Sequence, residues 1–283
     1  MAELFESVDA AQKKNDPQAE RDASIKSSLS KIKHKFIVMS GKGGVGKTST
    51  SVNLSIALAN QGFKVGIMDV DLHGPDVPRM MGMKGLLDLN QNKKLTPMAY
   101  SPNLSAVSIE SLTTSKDDAI IWRGPIKYSA IQQFIADVEW GDLDFLVIDS
   151  PPGTGDEPLT IAQIISDAKA IIVTTPQEVS LADVRKSISF CQTVKMEIFG
   201  LIENMSGLNC PHCGESIELF GSGGGERMAK SKGINFLGRI PIDPNMVKCG
   251  DAGVSFQEQH ADSPVSLAFT DMARKMGAMV QPG

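Results

Sequence analysis

A glycine-rich segment near the start of the chain has the residue types that bind phosphate. It reads GKGGVGKT and fits the pattern G-x-x-x-x-G-K-[ST], with an apolar strand before it and a helix after it. Glycines allow a tight turn whose backbone N–H groups point inward, and the helix adds its positive end. We predict that Lys47 reaches the β- and γ-phosphates of a nucleotide and that Thr48 binds Mg²⁺. The predicted contact residues are Gly41, Lys42, Gly43, Gly44, Val45, Gly46, Lys47, Thr48 and Ser49.

Two acidic segments follow strand-like runs further along the chain. In IMDVDLHGPDVP, Asp69, Asp71 and Asp76 lie at or beyond the end of a strand, where ligands bind in open α/β sheets. A carboxylate there can orient an attacking water, whereas the alternative is turn and capping chemistry. In FLVIDSPPGTGDEP, Asp149 ends an apolar run and is predicted to hold Mg²⁺ through water. The PPGTG segment after it suits either a loop that senses the γ-phosphate or a rigid turn.

A pair of cysteines, Cys210 and Cys213, lies two residues apart in CPHCG. This spacing lets two thiolates face one metal site, but zinc and [4Fe–4S] sites generally need four ligands. A redox pair, half of a zinc knuckle and two core cysteines are the alternatives. Cys191 lies among apolar helix residues and is predicted to be a core residue, while the role of Cys249 stays open.

The elements that position these residues follow from the hydrophobic pattern. Strand-like runs at 36–40, 64–70, 104–109, 144–150, 170–175, 197–204 and 235–242 alternate with helical stretches. This alternation predicts a single-domain α/β protein whose mostly parallel sheet has helices on both faces. Residues 1–33 are predicted to form a polar, mobile extension with room for one short helix. The predicted domain spans 34–283 and carries the cysteine pair in a loop at 210–213.

The composition limits the classes of partner. The 283 residues carry a net charge of -5, which disfavours a broad nucleic-acid surface. The sequence contains no run of about 18 apolar residues, so it predicts no transmembrane helix. Residues 1–35 lack the apolar core of a signal peptide. We therefore expect a cytoplasmic protein that binds neither nucleic acid nor membrane.

Several segments together resemble a known family. The loop KGGVGKT resembles the deviant Walker A P-loop ATPases, which include MinD, ParA and the nitrogenase iron protein. DSPPGTGDEPLT, ENMSGLNCPHCG and WRGP at 122–125 are similar to the Mrp/ApbC, or Nbp-type, branch of iron–sulfur cluster carriers. The resemblance extends from about Lys35 to Phe256 and implies the P-loop NTPase fold.

The resemblance also implies roles for individual residues. It implies ATP as the nucleotide, with Lys42 reaching across a homodimer to the partner's nucleotide. Asp71 is implied to position the attacking water, and Asn204, at a predicted strand end, and Pro241 lie where adenine contacts are expected. A two-fold dimer would bring a second cysteine pair to Cys210 and Cys213, which makes a four-thiolate site for a [4Fe–4S] cluster, or for zinc as the alternative.

The implied activity is slow ATP hydrolysis coupled to delivery of a labile cluster to apo iron–sulfur proteins. Two other functions compete with it. A positioning ATPase like MinD or ParA would act on membrane or DNA, but the C-terminal segment FTDMARKMGAMVQPG has two basic residues and little apolar weight. A dimeric ATPase with a structural zinc at the cysteine pair is the third function, and metal analysis separates it from the first.

Overall fold

The computed structural model describes residues 17–71, 74–92, 94–112, 124–210 and 212–281. Residues 1–16 of the predicted extension, Trp122 and Arg123 of the WRGP segment and Pro211 of CPHCG therefore lie outside the described residues. No helix in the described part of the chain is both long enough and apolar enough to cross a membrane.

Strands and helices alternate along most of the described chain. The strands are β1 (Ile32–Met39), β2 (Val65–Asp69), β3 (Asp88–Leu89), β4 (Leu95–Thr96), β5 (Met98–Ser101), β6 (Leu104–Ser108), β7 (Leu143–Asp149), β8 (Lys169–Thr174), β9 (Ile198–Asn209), β10 (Ser216–Ile217) and β11 (Phe236–Ile242). The helices are α1 (Pro17–Ser30), α2 (Lys47–Asn60), α3 (Val77–Met80), α4 (Gly124–Asp137), α5 (Asp156–Ile164), α6 (Glu178–Thr193), α7 (Gly224–Lys232), α8 (Pro244–Ala252), α9 (Phe256–Gln259) and α10 (Pro264–Val280).

The main sheet is mostly parallel, which confirms the predicted fold class. Its order is β10-β9-β8-β1-β7-β2-β6-β5, and β11 pairs with the other side of β9. The pairs that β1, β2, β8 and β11 make with their neighbours are parallel, while β5 and β10 run antiparallel to β6 and β9. The apolar runs form the central strands because such strands are covered by helices on both faces.

A hydrophobic core lies on each face of the sheet. Alternate residues of β1 point to opposite faces, so Phe36 belongs to one core and Ile37 to the other. The first core packs against α2 and α10, with Leu54 and Phe269 among its buried side chains. The second core packs against α1, α4, α5 and α6, with Phe134 among its buried side chains.

Helix α1 differs from the predicted mobile extension. Its residues Ile25 and Leu29, which are one helical turn apart, are buried in the second core. Ser24 Oγ donates a hydrogen bond to the Ala136 carbonyl at 3.1 Å, and β1 already begins at Ile32. Residues 17–33 are therefore part of the folded structure, because the two apolar side chains cover the sheet face beside α4.

Candidate functional site

The carboxyl ends of three neighbouring strands bring the predicted nucleotide residues together. In the parallel register, Val38 of β1 and Asp69 of β2 both pair with Asp149 of β7. The glycine loop follows β1 directly, and Asp71 follows β2 by two residues. All three segments consequently emerge at the same edge of the sheet, where ligands bind in folds of this type.

Asp149 forms hydrogen bonds and an ion pair with the first turn of α2. Thr48 Oγ1 donates to Asp149 Oδ2 at 2.8 Å, and Lys47 Nζ lies 2.7 Å from Asp149 Oδ1. Both charged side chains are buried, with exposed fractions of 7% for Lys47 and 1% for Asp149. The Thr48 hydroxyl and the Asp149 carboxylate thus offer adjacent oxygen atoms, the ligand type that fits Mg²⁺.

Sequence reasoning missed Ser51 in this group. Its hydroxyl donates to Asp149 Oδ1 at 2.7 Å. Because Ser51 is four residues after Lys47, it lies on the same face of α2, and this helical spacing was the signal that could have identified it. Ser51 therefore helps to orient the carboxylate that faces Thr48.

The glycine loop is packed too closely for side chains at two of its positions. A Cβ atom at Gly41 would lie 2.4 Å from the backbone of Asp183 on α6. Gly46 has a left-handed φ of 80°, and a Cβ atom there would lie 2.2 Å from Asn204 Nδ2. Glycine is needed at these positions because the loop touches α6 and β9 directly. Lys42 of the same loop is half-buried.

The PPGTG segment lies against the glycine loop. The Gly153 amide donates to the Ser40 carbonyl at 2.9 Å, just before the loop begins. Pro152 lies next to Gly43, 3.9 Å from where a Cβ atom would stand. The segment after Asp149 is thus in contact with the predicted phosphate site.

The first acidic segment divides into residues with different surroundings. Asp69 is fully buried and accepts the amide N–H groups of Asp71 at 3.1 Å and Val77 at 3.2 Å. Burial raises the pKa of the Asp69 carboxyl, and the nearby Asp149 charge raises it further.

The other two carboxylates of this segment differ in exposure. Asp71 is buried and accepts the Gly74 amide at 3.3 Å, whereas Asp76 is exposed and lies 3.6 Å from Arg79.

The predicted adenine-side residues lie on neighbouring strands. Asn204 Nδ2 donates to the Val45 carbonyl of the glycine loop at 2.8 Å. The prediction that Asn204 ends its strand was wrong, because β9 continues to Asn209 after an irregular segment. Pro241 is half-buried on β11 and follows Ile240, the partner of Asn204 in the sheet. Asn204 thus contacts the loop, and Pro241 lies beside Asn204 on the neighbouring strand.

The cysteine pair lies at the turn of a hairpin formed by the end of β9 and by β10. We call residues 205–222 the cysteine hairpin. Asn209 pairs with Ser216, and the Cys210 amide donates to the Glu215 carbonyl at 2.8 Å. Cys210 is half-buried, Cys213 is exposed, and both are free thiols.

Backbone N–H groups stabilise the thiolate form of Cys210. Those of Cys213 and then His212 lower the pKa of the Cys210 thiol. Cys191 is buried, as predicted, and burial raises the pKa of its thiol to about 12. Cys249 is also buried, in the first core. The two thiols that are accessible to a metal are therefore Cys210 and Cys213.

One chain offers a limited number of ligands at this hairpin. Within the residues that the structure describes, no group of three or more His, Cys, Asp or Glu side chains is placed to hold a metal ion. Two thiolates are half of the usual set for zinc or for a [4Fe–4S] cluster.

Comparisons with known sequences agree with this geometry. A family model described as ParA, NUBPL iron-transfer P-loop NTPase, matches residues 31–277. An iron–sulfur cluster carrier protein from Saccharolobus solfataricus is 46% identical over 261 residues, which are 92% of this chain and 88% of that protein. A cytosolic Fe-S cluster assembly factor NUBP2 homolog from Dictyostelium discoideum is 47% identical over 241 residues, covering 83% of this chain and 91% of that protein.

Solved structures of related proteins are also similar to this chain. A nucleotide-binding protein from Archaeoglobus fulgidus, in complex with ADP, is 38% identical with a TM-score of 0.75, covering 87% of this chain and 95% of that one. The MinD protein of Pyrococcus horikoshii, with Mg-ADP, is 22% identical with a TM-score of 0.64, covers 89% of this chain and 100% of that one, and shows the fold alone. On the match over residues 31–277 and these relatives, the chain belongs to the ParA family as a NUBPL-type iron-transfer P-loop NTPase.

Proposed function

We propose that this protein is an ATP-hydrolysing carrier that binds an iron–sulfur cluster between two copies of the chain and transfers it to apo-proteins. The observation that carries the proposal is the layout of β9. This strand contacts the glycine loop through Asn204 and leads to the free thiols Cys210 and Cys213. A nucleotide site and a thiol site thus share one element.

The nucleotide half of the proposal uses the residues around Asp149. Lys47 and the loop amides would bind the phosphates of ATP, while Thr48 and Asp149 would hold Mg²⁺, which neutralises phosphate charge during transfer. The family match and the ADP-bound relative from Archaeoglobus fulgidus support nucleotide binding. We assign Lys42 to the partner's nucleotide and Asp71 to the attacking water.

The cluster half of the proposal requires a second chain. Each hairpin supplies two thiolates, so a two-fold axis that brings two hairpins together completes a four-thiolate site. The Saccharolobus relative, named an iron–sulfur cluster carrier, supports an iron–sulfur cluster as the cargo and apo iron–sulfur proteins as recipients. We assign a [4Fe–4S] cluster because four thiolates are its usual ligand set. The Dictyostelium relative, named a cytosolic assembly factor, supports the cytoplasm as the compartment.

Metal and sulfide analysis under anaerobic conditions tests this function. After reconstitution with iron and sulfide, we expect the wild type to hold about four iron and four sulfide per two chains. Cys210→Ser and Cys213→Ser should each lose the cluster and keep ADP binding, whereas Cys249→Ser, a variant of a buried cysteine, should keep both. Zinc without acid-labile sulfide in the wild type would instead support the structural-zinc ATPase.

A further inference from the structure

The cysteine hairpin leaves the sheet at an irregular point of β9. Asn204 pairs with Ile240 and Leu208 pairs with Ile242, so four steps along β9 correspond to two steps along β11. Within this segment Met205 and Gly207 have left-handed φ angles of 58° and 81°. Extra residues of this kind bend a strand and redirect the residues after the bend, so the hairpin has its own direction relative to the sheet.

A single buried carboxylate holds both ends of this hairpin. Glu203 has an exposed fraction of 0% and precedes the irregular segment. On the outgoing side, the Ser206 hydroxyl donates to Glu203 Oε1 at 2.5 Å. On the returning side, the Gly223 amide donates to Oε1 at 2.8 Å and the Gly225 amide donates to Oε2. Glu203 therefore joins the start of the hairpin to the turn that ends it.

The surroundings of Glu203 favour a carboxylate over an amide side chain at this position. A Cβ atom at Gly225 would lie 3.0 Å from Glu203 Oε2, so the close approach depends on glycine. Arg239 Nε lies 3.8 Å from Oε1 and provides a positive charge. A carboxylate accepts several N–H bonds at once, whereas an amide side chain would turn an NH₂ group toward backbone donors.

The next residue along the strand contacts the nucleotide site. Adjacent side chains on a strand point to opposite faces, so Asn204 turns away from Glu203. The Asn204 side-chain amide bonds to the Val45 carbonyl and touches Gly46. A displacement of the glycine loop would therefore move Asn204, which is the residue next to Glu203 at the base of the hairpin.

We propose that Glu203 is a positioning residue that couples the cysteine hairpin to the phosphate loop. By fixing both ends of the hairpin to β9, Glu203 makes a displacement at Asn204 move Cys210 and Cys213 together. This inference rests on the proposed function, since it supplies the route by which bound ATP changes how the thiols are presented.

The experiment measures thiol accessibility on the full chain in its reduced form, free of iron and sulfide. Iodoacetamide modification of Cys210 and Cys213 is followed by peptide mass spectrometry with and without ATP and Mg²⁺, and ADP affinity is measured separately. For each cysteine of the wild type, we expect the modification rate with ATP and Mg²⁺ to differ at least about fivefold from the rate without them, the lower end of the range for coupled sites. In Glu203→Gln the ratio of the rate with ATP and Mg²⁺ to the rate without them should approach one, while ADP affinity is unchanged.

A matched control and a milder variant complete the test. Glu226→Gln removes an exposed carboxylate that also binds Arg239 and should keep the wild-type ratio. Ser206→Ala removes only the outgoing contact and should lower the ratio, and it decides the matter if Glu203→Gln does not fold. A merely structural role for Glu203 would raise both rates equally and leave the ratio unchanged.

The proposal is overturned if the wild type shows no nucleotide effect, or if Glu203→Gln, or Ser206→Ala in its stead, keeps the full wild-type ratio. These outcomes are independent of the carrier assignment, because the alkylation experiment contains no iron or sulfide. Conversely, a failure to reconstitute a cluster would remove the carrier function and leave the measured coupling intact.

Discussion

Asp149 connects the groups that would meet the phosphates and the metal. Its two oxygens accept from Thr48 and Ser51 and pair with Lys47, so its orientation is set by three side chains of one helix. Asp144, near the other end of the same strand, binds Lys33 and the Lys64 amide instead. The two carboxylates therefore offer a direct comparison within one strand.

Replacing Asp149 by Asn should weaken the Mg²⁺ dependence of ADP binding. A carboxylate that holds a metal through its water shell typically contributes about 10- to 100-fold in metal affinity. Titration calorimetry of ADP with and without Mg²⁺ measures the effect. Asp144→Asn is the control and should behave as the wild type, and an unchanged Mg²⁺ dependence in Asp149→Asn would remove Asp149 from the metal site.

The thiols also differ at the scale of single residues. The N–H groups of Cys213 and His212 lower the pKa of Cys210, so its reactive thiolate should form at lower pH than in an ordinary cysteine. The rate of Cys210 alkylation should rise with pH through a midpoint below the value of about 8.5 typical of free thiols. Cys191, whose thiol has a pKa of about 12, should stay unmodified near neutral pH.

The same measurement on the protein unfolded in urea provides the reference, because the N–H contacts are then lost. Equal midpoints for Cys210 in the folded and unfolded protein would show that these contacts do not act on the sulfur.

At the scale of elements, α1 belongs to the folded domain. Leu29 is 8% exposed and lies in the core on the α4 side of the sheet. Leu29→Ala should reduce the free energy of unfolding by about 2–5 kcal/mol, the usual cost of truncating a buried leucine. Urea unfolding measures the change. Leu267→Ala, at a position 52% exposed on α10, should cost less than about 0.5 kcal/mol.

Similar small losses in both variants would mean that α1 contributes nothing to the fold and that residues 17–33 behave as the mobile segment predicted from their composition.

Sequence patterns predicted the elements whose signals are local. The apolar runs of the central strands and the glycine loop each carry their pattern in one short segment, and the structure brings Asp149 to Thr48 as the strand order requires. The composition does not predict a folded α1, because among the helix side chains that the structure describes only the apolar Ile25 and Leu29 lie in the core. Two apolar residues one turn apart give too weak a periodicity.

Contacts between distant segments were beyond the sequence patterns. The predicted strand ends at 204 whereas β9 reaches Asn209, because the left-handed Met205 and Gly207 interrupt the strand before it resumes. The partners of Glu203 are backbone amides about 20 residues away, at Gly223 and Gly225. Such partners leave no mark in residue types, so a buried carboxylate looks like any acidic residue in the sequence.

At the scale of the whole molecule, the account depends on two chains sharing one cargo. A single cysteine hairpin provides two thiols, and within the described residues no further cluster of metal-binding side chains adds to them. The phosphate loop and the thiols of one chain are joined through β9, so in the proposed dimer a change in one chain's phosphate loop would alter the pair of hairpins at the axis. This arrangement excludes a complete cluster that is bound to a single chain.

Native mass spectrometry of the anaerobically reconstituted protein tests this central claim most directly. The account predicts a species with the mass of two chains plus one [4Fe–4S] cluster, and no cluster on single chains. A cluster bound to a monomer, or one complete cluster on each chain of a dimer, would contradict it.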